Sequence, residues 1–549
     1  MTDLLILAGL VLVALIPRII LATQLDMVTD EIVYIQGGKI YLPLVAHFLS
    51  IGASGWTFNY EHPPLVKLFI GLSSFLNAHT GHPLNDLLAA RLPSILFGTG
   101  LIAAIFWLGR APFGRVIALL AALCLAVSPW LVYFSALAYL DMPMTALITT
   151  AFLLLWHATR RPWLYPLAAA LVGFAAASKY TAVLAIPGMV LFTLYYLLAI
   201  RPRESEPRRP IPWIWMLSTI VGAPLLFLAV DPAIWPQPVG LLIHSFRFEW
   251  DHSLHGHLTF IAGQYALHVP PWTTLYIIVN KLSAFVTIPA ALFALFALVQ
   301  LVRFHLRPAT LSATEASAIA FLLIWLISIL GMFSLLNIVV GTHYLLPIAP
   351  PVVLAGAFGL TTLLGYRRGQ LLKSGKQAVT TDPQPATAAI PVKRVRISPR
   401  AGIIVALLTL ALVGPHLVGL LTIPDAEGYT SELFPSENAT LQVAYPGYRD
   451  ALQWLAGYTH TATSVGLVAL PATLGQKGNS ISWYGYNGDL PARFQLTEVH
   501  PNDTTFPYDY LIWPMHLVQR NYLIPEPWRS HIIHVVMGGN TIYCYILAP

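Results

Sequence analysis

Charge is scarce in this chain, and cysteine is almost absent. Of its 549 residues only 10% are Asp, Glu, Lys or Arg and 57% are hydrophobic, whereas soluble domains carry about 25% charged residues. This composition excludes an ordinary soluble enzyme. The two cysteines predict no disulfide, because Cys124 lies inside an apolar run that we expect within a bilayer and Cys544 lies near the C-terminus.

Apolar runs of about 20 residues recur along the chain, and each is long enough to cross a bilayer as a helix. The first run has neither a basic leader nor a small-residue cleavage site, so we expect a retained span rather than a signal peptide. We predict eleven spans, at residues 4–23, 88–109, 116–136, 142–158, 163–178, 181–200, 212–230, 283–302, 316–335, 344–363 and 401–423.

The basic residues are distributed unevenly among the connections between these spans. With the N-terminus in the cytoplasm, 18 of the 30 Lys and Arg residues fall in cytoplasmic segments, including a polar, basic linker at 366–400, and six fall in outer loops. This bias is typical of membrane proteins. The net charge of +6 therefore reflects topology, and we expect no nucleic-acid partner.

The chain divides into a membrane part and a smaller soluble part. The predicted fold class is an α-helical polytopic membrane protein, residues 1–423, followed by a small extracytoplasmic α/β domain, residues 424–549. In that domain a helix is predicted at 448–458 and strands at 464–470, 508–513 and 541–547. Two outer loops, 24–87 and 231–282, are long, and the first should hold helices over 34–49 and from Pro63.

Acidic residues concentrate in the first outer loop, although charge is costly near a bilayer. Asp30 and Glu31 follow the first span, and Glu61 and His62 precede a Pro-Pro pair. A carboxylate at such a site can act as a general base toward a hydroxyl. Both pairs could instead cap helices, and the residues alone leave this open.

Lysine and arginine at outer ends of spans are candidates for neutralising a phosphate leaving group. These residues are Lys67, Arg91 and Lys179, with snorkelling to the headgroups as the alternative for each. Asp141 begins the fourth span and could support the site or cap that helix before Pro143.

The second outer loop is rich in histidine, and His252 and His257 lie among carboxylates. Histidine with carboxylate from two loops can hold a divalent ion. The spacing of these histidines fits no standard zinc motif, so solvent-facing interfacial histidines are the alternative.

The order of these features resembles the GT-C glycosyltransferases that use polyprenyl-phosphate sugars, with protein O-mannosyltransferases and the lipid A aminoarabinose transferase as the nearest relatives. The resemblance covers residues 1–365. It is carried by these motifs in order: Asp30-Glu31 with Tyr34 and Gly37, Glu61-His62-Pro63-Pro64-Leu65, Arg91-Leu92-Pro93, Leu140-Asp141, Ser178-Lys179-Tyr180, His252 to His257 with Gly263, and His343-Tyr344 to Pro347.

The resemblance implies roles for individual residues. Asp30, with Glu31 beside it, matches the catalytic aspartate, and Glu61 matches a metal-binding position whose partner would be His252 or, as a rival, His257. The donor phosphate would face Arg91, Lys179 and Lys67, and the site would be supported by His62, Asp141 and Tyr344.

Three departures from the family pattern matter. Lys281 stands in Asn280-Lys281-Leu282 where relatives tend to show Lys-Thr-Pro, and His343 stands where many have arginine. The C-terminal domain is not the β-trefoil of eukaryotic protein mannosyltransferases, which favours a bacterial or archaeal plasma membrane.

The predicted function is transfer of a sugar, with inversion, from an outward-facing polyprenyl phosphate to a protein, glycan or lipid acceptor. Apart from a possible divalent metal, no cofactor is expected. A transporter is the alternative, although its polar groups would gather near the midplane and in repeats. A membrane receptor that acts through its C-terminal domain is a third class.

Overall fold

A computed structural model describes thirteen stretches of the chain. These are residues 2–25, 27–46, 55–204, 210–255, 259–266, 268–307, 311–335, 341–364, 399–423, 426–434, 447–469, 491–503 and 505–548. The predicted linker at 366–400 falls outside them except for its last two residues.

Helices dominate the first 423 residues. The first group is α1 Thr2–Gln24, α2 Thr29–Ala46, α3 Leu65–His79, α4 Asp86–Phe113, α5 Arg115–Val127, α6 Pro129–Ser135, α7 Asp141–Ala158 and α8 Leu164–Ser178. A 3₁₀ turn, Tyr180–Ala185, then leads into α9, Ile186–Tyr195. The remaining helices are α10 Trp213–Val230, α11 Pro238–His255, α12 Thr273–Lys281, α13 Ala284–Leu306, α14 Ala313–Ser334, α15 Ala349–Leu363 and α16 Pro399–Thr422.

A helix lies at each of the eleven predicted spans, and the multi-pass helical fold class is confirmed. Within the described residues, eight helical segments are long and apolar enough to cross a bilayer on their own, and a ninth span results if α5 and α6 count as one helix bent by 61°. The helices α7 and α8 fall short of these criteria because α7 carries polar residues and α8 is only 15 residues long.

Arg18 stabilises the break between α5 and α6. This residue belongs to α1. Its buried guanidinium donates to the carbonyls of Ala126 at 2.9 Å and Leu125 at 3.5 Å. Carbonyls at the end of a helix lack intrahelical donors, so the arginine satisfies groups that the break exposes. Arg18 therefore has a structural use at this break, and the segment after the break carries Tyr139 and Asp141 into the site.

The first outer loop differs in detail from its prediction. The helix α2 begins at Thr29 rather than Tyr34, so Asp30 and Glu31 lie in its first turn, where carboxylates interact favourably with the helix dipole. Glu31 also accepts the backbone N–H of Val28 at 3.0 Å. The next helix, α3, begins at Leu65, directly after Pro63-Pro64.

The C-terminal part has a core of its own. A helix, α17 Tyr448–Tyr458, packs on a five-stranded mixed sheet. After the two-stranded sheet of β1 Thr259–Ile261 and β2 Gln264–Ala266, the elements are β3 Thr463–Val468, β4 Phe494–Val499, β5 Tyr510–Pro514, α18 Met515–Val518, α19 Glu526–Arg529, β6 Ile532–Gly538 and β7 Thr541–Leu547. The strand order in the five-stranded sheet is β4-β3-β5-β7-β6. The helix and three strands match their predicted positions, whereas β4 and β6 were not predicted. The division at 423/424 stays a prediction.

Hydrogen bonds tie the C-terminal part to the membrane helices. Lys281, at the end of α12, is buried and donates to the carbonyls of Glu427 at 2.9 Å and Tyr429 at 3.1 Å. Arg449, in α17, donates to the carbonyl of Gln24 at the end of α1. The departure of Lys281 from the family pattern therefore coincides with a structural use, and the C-terminal part lies beside the C-terminal end of α1.

Candidate active site

Glu31 and Arg91 form a buried ion pair between the starts of α2 and α4. Arg91 donates from Nε to Oε1 and from Nη2 to Oε2, both at 2.7 Å, and both side chains are 0% exposed. The backbone N–H of Ala138 donates to the same carboxylate at 2.7 Å. Bidentate geometry of this kind fixes orientation. The pair therefore holds the first outer loop against the segment before Asp141, and the predicted roles of Glu31 in catalysis and Arg91 in phosphate binding stay predictions.

Tyr34 is the point on which carboxylates from three segments converge. Its buried ring lies 5.9 Å from the ring of His62 and 5.8 Å, edge to face, from that of Tyr139. Burial raises the pKa of the Tyr34 phenol well above its usual value, and the carboxylates of Asp30, Asp141 and Glu61 raise it further. Residues far apart in sequence thus share one electrostatic environment.

Lys67 holds the loop that carries Glu61 and His62. Its fully buried ammonium donates to the carbonyls of Asn59 at 2.6 Å and His62 at 2.9 Å. Burial lowers the pKa of Lys67 to about 7, while Glu61 and Asp231 raise it. Desolvation disfavours the charged form, so the lysine titrates near neutral pH instead of remaining charged throughout.

A second buried pair closes the opposite side of the site. Lys179 donates to Asp141 Oδ1 at 2.7 Å, and its ammonium lies 3.9 Å from the centroid of the Tyr344 ring. His343 packs against Tyr139 with ring centroids 5.4 Å apart. Burial lowers the pKa of His62 well below its usual value, and the positive charges of Lys179 and Lys67 lower it further.

Asp231 is a site residue that the sequence reasoning missed. It follows α10 directly, is 0% exposed, and lies where its charge acts on both Lys67 and Tyr41. Burial raises its pKa to about 7, offset in part by the Ala233 amide and by Lys67. A usable signal was present, because this is an isolated carboxylate at the end of an apolar run and before a proline.

The second outer loop reaches the first through α11. The Tyr60 ring stacks on that of His244 with centroids 5.3 Å apart, and it meets Phe248 edge to face at 5.5 Å. His252 belongs to the same helix, but its side chain lies outside the described part of the structure, as does the whole of His257.

The donors for a metal ion are incomplete among the described side chains. Glu61 accepts a hydrogen bond from the Asn59 amide, and no three described His, Cys, Asp or Glu residues form a group that could hold a metal ion. The described residues alone therefore do not fit such a site, and a metal held with His252 or His257 stays a prediction.

Residues 61–227 match the sequence profile of the dolichyl-phosphate-mannose-protein mannosyltransferase family. The matched region covers less than a third of the chain. It contains Glu61, Lys67, Arg91, Asp141 and Lys179, which the geometry above brings together around one site. The match agrees with the predicted family over these residues, and the transporter alternative gains no support.

No curated protein sequence matches the chain. Among solved structures, the chain is similar to ArnT from Cupriavidus metallidurans bound to undecaprenyl phosphate, at 15% identity and a TM-score of 0.49 over 98% of this chain and 97% of that one. It is similar to the Archaeoglobus fulgidus oligosaccharyltransferase at 12% identity and a TM-score of 0.46, over 85% of this chain and 62% of that one. It is also similar to the S. cerevisiae protein O-mannosyltransferase Pmt1–Pmt2 complex, at 18% identity and a TM-score of 0.30, over 46% of this chain and 34% of that one.

The titration of Lys67 near pH 7 yields a testable pH dependence. As pH rises through about 7 the ammonium is lost, so we expect the rate of sugar transfer to fall on the alkaline side. Asp231→Asn removes a negative charge that raises the pKa of Lys67, so the alkaline limb should move to lower pH. In Lys67→Arg this limb should disappear, because guanidinium does not titrate in this range. Profiles of kcat/KM from pH 5.5 to 9 for the wild type and the two variants measure these effects. If the alkaline limb lies at the same pH in both variants as in the wild type, its assignment to Lys67 is wrong.

Proposed function

We propose that this glycosyltransferase moves one hexosyl or pentosyl unit from a polyprenyl-phosphate carrier in the outer leaflet to a hydroxyl of a protein, glycan or lipid acceptor. The name of the matching family, which combines a polyprenyl-phosphate mannose donor with a protein acceptor, supports the donor class. The grouping of carboxylates and cations around Tyr34 supports the chemistry.

One contrast between neighbouring carboxylates supports Asp30 as the base. Glu31 is fully buried and accepts from both Arg91 and two backbone amides. Asp30 is partly exposed, and among the described residues no hydrogen bond or ion pair engages its carboxylate. A base must reach the proton that it removes. Asp30 is accessible for that purpose, whereas Glu31 is committed to the framework.

The proposed reaction is a single displacement with inversion. The acceptor oxygen attacks the anomeric carbon, its proton passes to Asp30, and the bond from carbon to the phosphate oxygen breaks with its electron pair retained by the phosphate. The leaving group is a weak base, so it needs charge stabilisation more than a proton. No step depends on a divalent ion, which stays a prediction at Glu61 with His252 or His257.

Lys179 and Lys67 are the cations proposed to face the leaving phosphate. Both lie close enough to His62 to lower its pKa, and their ion-pair and carbonyl partners keep them oriented rather than mobile. Preorganised charge of this kind costs little reorganisation during reaction. Arg91 contributes by holding Glu31.

The proposed orientation puts this site and residues 424–549 outside a bacterial or archaeal plasma membrane and the N-terminus in the cytoplasm. The distribution of Lys and Arg supports that orientation. This orientation is measured by introducing single cysteines into loops predicted on opposite sides of the membrane and comparing their accessibility to a reagent in intact cells.

The proposed function is tested with purified protein in liposomes and a panel of radiolabelled polyprenyl-phosphate sugars. We expect release of polyprenyl phosphate that is matched, mole for mole, by sugar on an acceptor, with the opposite anomeric configuration by NMR. Solute uptake without transfer would favour a transporter, and retention of configuration would exclude the single displacement.

A further inference from the structure

The helix α11 has two opposite faces, and one of them contacts the loop that carries Glu61. His244 and Phe248 point to Tyr60 in the first outer loop, and Leu241 and Leu242 pack partly against the buried core. This face therefore packs against the protein beside the site.

The other face is apolar and exposed. Its side chains recur at intervals of four, three, four and four residues, and at about 100° per residue they fall within an arc of about 80°. They point away from the face that meets Tyr60. The stripe consists of Val239 at 72% exposure, Ile243 at 46%, Phe246 at 45%, Trp250 at 66% and Leu254 at 58%.

The surroundings of α11 indicate what covers this stripe. Residues 231–237 alone separate it from α10, whose apolar surface is exposed along its length, as expected of a helix in lipid. Trp235 and Trp272 are exposed close by in sequence, and tryptophan is enriched at membrane interfaces. Arg247 lies exposed beside the stripe, where it can meet anionic headgroups.

We propose that α11 is an interfacial helix, with the stripe buried at the boundary of headgroups and acyl chains in the outer leaflet. An amphipathic helix with these features lies in the plane of the interface. The bilayer then supports one face of α11 while the other supports Tyr60 and, through it, the loop of Glu61. Contact with lipid therefore helps to hold the site together, a consequence that rests on the proposed function.

Depth measurements test the placement of α11 without reference to activity. Both native cysteines are buried, so Ile243→Cys and Leu254→Cys can be labelled selectively with a nitroxide. Asp251→Cys, exposed outside the stripe on the same helix, is the matched control. In the full-length protein in nanodiscs with anionic lipid, we expect the first two labels to relax with oxygen at least about threefold more than with a water-soluble nickel complex, and Asp251→Cys to show the reverse.

Two results would overturn the proposal. Nickel access at residues 243 and 254 equal to that at 251 would mean that water covers the stripe. Protection from both reagents would mean that protein covers it.

The catalytic consequence is measured with Ile243→Asn combined with Leu254→Asn in liposomes. We expect the KM for the long-chain lipid donor to rise about tenfold, with little change for a short-chain, water-soluble donor in detergent. If the depth measurement places the labels at the interface but the KM of the double variant is unchanged, only this catalytic consequence is wrong. A wild type that is inactive with every donor removes the proposed function and leaves the depth result intact.

Discussion

Replacing Asp30 with asparagine is expected to reduce kcat for sugar transfer by about 10²–10⁴-fold, the range that general-base catalysis contributes. Asparagine keeps the size of the side chain and cannot accept the acceptor's proton. Because no described residue bonds the Asp30 carboxylate, the folded protein should lose little stability. The assay is turnover of a polyprenyl-phosphate sugar by purified protein, with donor KM measured alongside.

A matched control exists in the same outer loop. Asp86 is 78% exposed and pairs with His82 at the start of α4, so Asp86→Asn removes the same charge at a solvent-exposed position. We expect its kcat to stay within about twofold of wild type. If Asp30→Asn also stays within about tenfold, Asp30 is not the base.

Replacing Arg91 with methionine is expected to unfold the outer part of the site. The substitution leaves the Glu31 carboxylate buried without its cation, and loss of one partner of a buried pair costs about 3–5 kcal/mol. It also leaves the carbonyls of Ala22 and Leu25 without the Arg91 donor, each at 2.8 Å. We expect a large fall in the thermal midpoint in detergent, with activity lost in proportion to the folded fraction.

The alternative role of Arg91 makes a different prediction. A direct ligand of the donor phosphate would raise donor KM and leave the thermal midpoint unchanged. Arg110, whose pairing with Asp3 is partly exposed, provides the comparison, since Arg110→Met should shift the midpoint little. A stable Arg91→Met protein with raised KM would contradict the structural role.

The membrane helices were predictable because the bilayer imposes a length and a composition on every span. The start of α2 was not, because a helix at the membrane surface has no such limit and its capping residues also suit a loop. The strands β4 and β6 were missed for a related reason. Each is a short strand of six or seven residues, so its local signal is slight, and β4 pairs with β3 across residues 469–493.

The site was only partly predictable. Motif order suggested that Asp30, Glu61, Asp141 and Lys179 belong together, and the structure brings their charges around Tyr34 and His62. Sequence could not reveal that Glu31 binds Arg91 across 60 positions, because charge pairing between helices leaves no periodic signal. Asp231 was missed because an isolated carboxylate at a span end normally meets headgroups.

The most direct test of the account is a cryo-electron microscopy map of the full-length protein in nanodiscs with added polyprenyl phosphate. We predict density for the lipid phosphate between Lys67 and Lys179, with the Asp30 carboxylate facing the sugar end of that lipid. Phosphate density elsewhere, or an Asp30 side chain that points away from Glu61 and Asp141, would contradict it.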